Sequence, residues 1–178
     1  MRPRIGNVML GAMLAMLLTT GAGNADTWIT LDFPGAVHTS AHGIDGDLIV
    51  GAYSDAYSTH GFVYDGSTWT TLDFPGAIDT EPTGIDNGLI VGGYIDASSQ
   101  QHGFMYDGVN WTTVDYPAGK NRWAAGIDGD NIVGEYTTNT RHGFLYDGTS
   151  WTTLDFPGAG QTQLRDIEGS NILGTYNF

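Results

Sequence analysis

From residue 27 onward the chain is written in short runs that alternate apolar and polar side chains with a period of two, broken by Gly, Pro and Asp. In Trp69–Phe74, Thr70, Leu72 and Phe74 share one face of an extended strand, and Trp69, Thr71 and Asp73 share the other. The run Leu48–Tyr53 is apolar on both faces, the pattern of a strand buried between two sheets. No helical period appears beyond the first 25 residues. The breaks carry turn chemistry. Asp45-Gly46 and Asp65-Gly66, with their counterparts, supply the glycine that hairpin turns require. Pro34, Pro75, Pro117 and Pro157 end a strand, because proline cannot donate to a ladder. The pattern predicts an all-β protein of short antiparallel strands.

These runs recur in order. Trp28, Trp69, Trp111 and Trp151 open near-identical phrases (TWITLDFPGA, TWTTLDFPGA, NWTTVDYPAG, SWTTLDFPGA), spaced 41, 42 and 40 residues apart. A second phrase follows each: GIDGDLIVGAY from Gly43, GIDNGLIVGGY from Gly84, GIDGDNIVGEY from Gly126 and DIEGSNILGTY from Asp166. A third, HGF-apolar-YDG, appears from His60, His102 and His142. The units run about 28–68, 69–110, 111–150 and 151–178, within one domain of residues 26–178. About four short strands in about 40 residues is the content of a propeller blade. The expected architecture is therefore β-propeller-like with an incomplete last unit; if the Trp strand is innermost, that unit lacks only its HGF strand. An open or stacked β array, completed by pairing with another copy, is the alternative.

The first 25 residues follow a different plan. Arg2 and Arg4 precede an apolar run from Val8 to Leu18, and small residues lead to Gly23-Asn24-Ala25. That is a secretory signal peptide, cut after Ala25, so the protein is expected to be secreted or periplasmic. The run is short for a membrane span, and no later segment resembles one. The remaining 153 residues hold four cations against 20 carboxylates, a formal charge of −16. This charge argues against nucleic acid and anionic membranes as partners. Cysteine is absent, so a hydrophobic core rather than disulfides must hold the domain.

The phrases HGF…YDG, WTTLDFPGA and GIDG…IVG, in this order and at this period, resemble the HAF family of bacterial extracellular repeats. The resemblance covers residues 27–176, with His-Gly-Phe standing where the family name has His-Ala-Phe. It implies an extracellular protein of repeated β-units and no catalytic activity. The sorting tail that many relatives carry is not matched here.

Most polar residues that could do chemistry are copied from unit to unit. His60, His102 and His142 invite a zinc triad, but a ring would hold equivalent positions on different blades. The stronger reading is a strand-tying polar network of His, Asp, Thr and the repeated Trp. Asp45, Asp86 and Asp128, with Glu168, recur in the GID turn, and Asp65, Asp107 and Asp147 in the YDG turn. Such carboxylates could bind calcium, though Asp before Gly is also what tight turns prefer. Gly51, Gly92, Gly134 and Gly174 sit inside an apolar strand, where they are expected to admit the repeated Trp.

Catalysis needs one unique constellation, so function is sought where copies differ. Residues 118–124 break the third unit with Lys120, Arg122 and Trp123, and the first unit has His38 and His42 in the equivalent stretch. Read as a variable loop on a constant scaffold, these five residues are the candidate ligand site. They point to a noncatalytic binding or structural module for a glycan or an extracellular protein. Two alternatives stand beside it: a polysaccharide hydrolase or lyase using axial carboxylates, and a surface protein that self-associates through its unfinished last unit. No cofactor is implied beyond a possible Ca²⁺.

Overall fold

A computed structural model describes residues 15–19, 27–117 and 119–178, with the side chains of residues 15–19, 27, 28, 121 and 122 outside the described set. Three four-stranded sheets follow one another, each built from consecutive antiparallel strands. The first holds β3 (His38–Asp45), β4 (Leu48–Ser54), β5 (Thr59–Tyr64) and β6 (Trp69–Leu72). The second holds β7 (Asp79–Asp86), β8 (Leu89–Ile95), β9 (Gln101–Tyr106) and β10 (Trp111–Thr113). The third holds β11 (Lys120–Asp128), β12 (Asn131–Thr137), β13 (Arg141–Tyr146) and β14 (Trp151–Thr153). A fourth sheet has two strands, β15 (Gln161–Glu168) and β16 (Asn171–Asn177). The fold is all-β and β-propeller-like. No helix among the described residues is long and apolar enough to cross a membrane.

The GID strands β3, β7, β11 and β15 are the innermost, each packed on the next. The Trp strands of these three sheets are outermost, not innermost. The inner place demands close backbone approach, and glycine provides it: a Cβ on Gly84 would stand 3.4 Å from the Gly126 Cα. In β6, β10 and β14 the Trp strands are only three or four residues long, and their Thr side chains face water. In consequence the fourth sheet lacks two outer strands rather than one. β16 is exposed along its length, with Ile172, Leu173 and Tyr176 open to solvent. Near the start, β1 (Ala15–Thr19) pairs antiparallel with β2 (Thr27–Leu31). β1 belongs to the stretch read as a signal peptide, and the cut after Ala25 lies outside the described residues.

The core lies between sheets, so each unit needs its neighbour. Val50 and Leu72 of the first sheet pack with Ile85, Ile90, Tyr94 and Phe104 of the second. Val91 packs likewise with Ala124, Ile127, Ile132 and Phe144 of the third. Val133 meets Leu164 and Ile167 of the fourth. The IVG strands are buried on both faces, as their sequence predicts. Their glycines, however, admit Phe rather than Trp. A Cβ on Gly92 would collide with the Glu81 carbonyl and stand 2.8 Å from the Phe104 ring. Phe104 and its equivalents Phe62 and Phe144 are fully buried, and the Trp rings meet them edge-on at 4.9–5.1 Å.

The link from one sheet to the next uses the phrase LDFPGA. Ala77 N–H donates to the Phe74 carbonyl across Pro75-Gly76, with Gly76 at φ 81°, the geometry a type II turn asks of Pro-Gly. The buried Thr80 hydroxyl accepts the Phe74 N–H at 2.9 Å. Phe74 then stacks on Tyr94 of the following sheet at 3.8 Å. Phe33–Tyr53, Tyr116–Tyr136 and Phe156–Tyr176 repeat the stack at the other links.

Candidate functional site

The repeated polar residues resolve into structure. His60, His102 and His142 lie on separate sheets, and each Nδ1–H donates to the Asp of its own sheet: Asp73 at 2.9 Å, and Asp115 and Asp155 at 2.7 Å. The Tyr hydroxyls of the IVG strands bond Thr71, Thr113 and Thr153 at 2.9, 3.1 and 2.9 Å. The network thus joins His to Asp and Tyr to Thr. The Trp contributes ring faces and edges, where a Trp N–H was expected. Burial disfavours a charged His102, but the bond and charge of Asp115, backed by Asp96, more than offset it, raising its pKa above 6.5. Asp73 and Asp55 do the same for His60.

The YDG aspartates cap their own turns. Asp107 Oδ1 accepts the N–H groups of Asn110 at 2.6 Å and Val109 at 2.9 Å. These bonds hold its carboxyl below the ordinary 3.8, and Asp65 and Asp147 behave alike. The GID aspartates tie neighbouring units. Asp86 Oδ2 accepts Gly129 N–H, and Asp128 Oδ2 accepts Gly169 N–H, both at 2.7 Å. Among the described residues no three acidic or His side chains gather to hold a metal.

The residues that differ between copies gather elsewhere. Each inner strand carries a register shift at one repeat position, between Ala41 and Gly43, Pro82 and Gly84, Ala124 and Gly126, and Leu164 and Asp166. The extra residues are His42, Thr83, Ala125 and Arg165. A β-bulge re-aims a side chain, and these four point to the axis. Two cavities of about 480 and 490 Å³ lie there, and these same four residues line both. Glu81, Trp123 and Glu135 complete the first, and Asp45, Asp86, Asp166 and Glu168 the second. The two cavities therefore adjoin around the inner strands, as an upper and a lower tier.

Two bulge residues also fasten adjacent units. His42 Nδ1–H donates to the Pro82 carbonyl at 2.7 Å, which leaves Nε2 to accept the Ser40 hydroxyl at 3.0 Å. The Thr83 hydroxyl donates to the Ala124 carbonyl at 2.7 Å. Thr83→Val is expected to cost about 1 kcal/mol, read as a lower urea midpoint at unchanged slope. Ala125 has no group with which to repeat the tie.

Trp123 is seated by a gap in the second unit. A Cβ on Gly93 would overlap the indole, whereas the equivalent positions hold Ala52 and Glu135. Half-buried, the ring lines the upper tier beside the buried Glu135 and the half-exposed Glu81.

The five residues read as one loop are thus separated. Residues 120–128 form a strand, as do 38–45, so Trp123 and His42 reach the axis from inner strands. The pairing with β12 runs through this stretch and accommodates its extra residues by two register shifts, between Asn121 and Trp123 and between Ala124 and Gly126. Lys120 lines a different cleft of about 600 Å³ with Asp79, Gln101 and His102. His38 opens β3 and is not among the axial lining residues. The side chain of Arg122 lies outside the described residues. Glu81, Thr83, Glu135 and Arg165 escaped the sequence reading. Their signal was available, since all four stand where aligned copies disagree.

No protein-family model and no curated protein matches the chain. Solved structures with a similar course of strands include three of the Aleuria aurantia lectin. A mutant in complex with Fucα1-6GlcNAc is 17% identical with a TM-score of 0.46, the match covering 90% of this chain and 63% of the lectin. A mutant with α-methyl-L-fucoside is 16% identical with a TM-score of 0.47, covering 92% and 71%. A mercury derivative of the fucose-specific lectin is 16% identical with a TM-score of 0.48, covering 92% and 71%. The first of these matches leaves more than a third of the lectin's length uncovered.

Proposed function

We propose that this protein is an exported, noncatalytic binding module that holds a saccharide in the cavity lined by Trp123. One observation carries the reading: residues that differ between otherwise copied units converge on a single cavity around Trp123. A half-buried indole offers a flat apolar face for a sugar ring. Glu81, Glu135, Thr83, His42 and Arg165 surround it with directional acceptors and donors. Few polar groups in a concave, partly apolar site are the usual means of fixing a small ligand. The N-terminal leader pattern and the resemblance to extracellular HAF repeats support export.

The test is calorimetry of the purified protein against a panel of neutral, amino and uronic oligosaccharides. Binding is expected for at least one class, weakened about tenfold or more by Trp123→Ala, the cost of a central aromatic anchor. Binding unchanged in that variant would place the ligand elsewhere. Steady release of reducing ends would sink the noncatalytic reading and turn attention to Glu81 and Glu135 as an acid–base pair.

A further inference from the structure

We infer that the first and fourth units of neighbouring copies of this chain bind each other head to tail, remaking between molecules the junction that joins units within one chain. That junction is made three times. Its exit side carries the valine of the IVG strand, Val50, Val91 or Val133, each fully buried. Its entry side carries the isoleucine of the next GID strand, Ile85, Ile127 or Ile167, also buried. The two meet in shared clusters, Val50 with Ile85, Val91 with Ile127 and Val133 with Ile167. Each side is then left over once. Leu173 holds the exit position of the fourth unit and is 66% exposed, and Ile44 holds the entry position of the first and is 58% exposed. Stacked repeats bury their apolar faces on a neighbour, so the partner that fits each face is the other one.

The polar part of the junction is left over in the same way. Asp86 and Asp128 accept the N–H groups of Gly129 and Gly169 from the following unit. The same repeat positions at the two ends are Glu168 and Gly46. Gly46 has a φ of 56°, against 57° at Gly129 and Gly169, so its turn already has the conformation that the tie uses. The outer part of the entry face is filled, because Leu31 is buried against Ile49 and Phe62. What it lacks is the inner part, a GID and an IVG strand, and these are the two strands of the fourth sheet. Ile44 and Ile167 line one cavity of about 490 Å³, yet Ile44 stays exposed, so the fourth sheet does not cover the first within the chain. Closing that gap in one molecule means shifting three packed junctions. A second copy covers both faces with no change in either. The contact joins unlike faces and therefore continues from copy to copy, into a ring or a filament.

Sedimentation velocity of the purified protein over a concentration series is expected to show dimers and longer species that grow with concentration. Ile44→Asp and Leu173→Asp each weaken this association about tenfold or more, because each would bury an unpaired carboxylate. Both residues are exposed within one chain, so far-UV circular dichroism should match the parent. Mixing the two variants is expected to restore dimers and nothing longer, since each keeps one sound face. A two-fold contact between like faces cannot give that rescue. The chain has no cysteine of its own, so a variant carrying both Ile44→Cys and Leu173→Cys tests the rival closure. It is expected to form disulfides between molecules. A protein that stays monomeric at every concentration overturns the inference. Association that either aspartate variant leaves unchanged overturns it too, as does a double-cysteine disulfide formed within a monomer.

Discussion

Phe104→Ala is expected to destabilise the domain by about 3–5 kcal/mol, a large part of the 5–15 kcal/mol that holds a typical domain folded. The ring is fully buried and belongs to a cluster drawn from two units, with Val50 and Leu72 on one side and Ile85 and Ile90 on the other. Trp111 meets it edge-on at 5.0 Å, and the backbone of Gly92 leaves its face no room to move. Truncation therefore removes transfer energy and leaves a cavity framed by ladders that cannot collapse into it. Urea denaturation checks the figure through a lower midpoint at unchanged slope. A loss below about 1 kcal/mol would show that the units do not depend on this shared core.

The second expectation concerns pH. His60 and His102 titrate above their ordinary 6.5 in the folded protein, so their contribution is complete below that value and is lost as pH rises through the raised pKa. The turn aspartates, Asp65, Asp107 and Asp147 among them, titrate below 3.8, so theirs is present above that value and lost as pH falls. Stability should peak between about pH 4 and 6.5 and decline toward pH 8. Asp115→Ala tests the His part, because Asp115 takes both the His102 Nδ1–H at 2.7 Å and the Gly103 N–H at 3.1 Å. Charge-assisted bonds of this kind are worth about 1.5–3 kcal/mol, and partial exposure places the expected loss at the lower end. The variant should also show a shallower decline between pH 6.5 and 8. An unchanged slope would remove His102 from the account.

Strand content, turn positions and the buried IVG strands were legible because each is a local property. Alternation, Asp-Gly pairs and Pro-Gly pairs act within a few residues, and the repeat confirmed each reading several times. The order of strands within a sheet was not local. The Trp and GID phrases look equally fit for the innermost strand, and what decides between them is close backbone approach, as at Gly84 against Gly126. The site was half legible. The rule of looking where copies disagree found Trp123 and His42. It missed Glu81, Thr83, Glu135 and Arg165 because those residues are far apart in the chain and ordinary in type. It grouped Lys120 with Trp123 because they are close in sequence, whereas Lys120 pairs with Thr137 at the end of the ladder and lines a different cleft from Trp123, which pairs with Glu135.

The register shift in each inner strand separates two demands that usually compete. Its extra residue stands outside the regular alternation, so its side-chain type is not dictated by the core: imidazole, hydroxyl, methyl and guanidinium all occupy it, and only the first two also tie neighbouring units. Mutation there can be absorbed with modest loss of stability, while the same change in a Phe or an Asp of the network cannot. A chain grown by duplication thus begins with identical copies and can acquire preference for a ligand one position at a time, each unit contributing a letter that the others need not share.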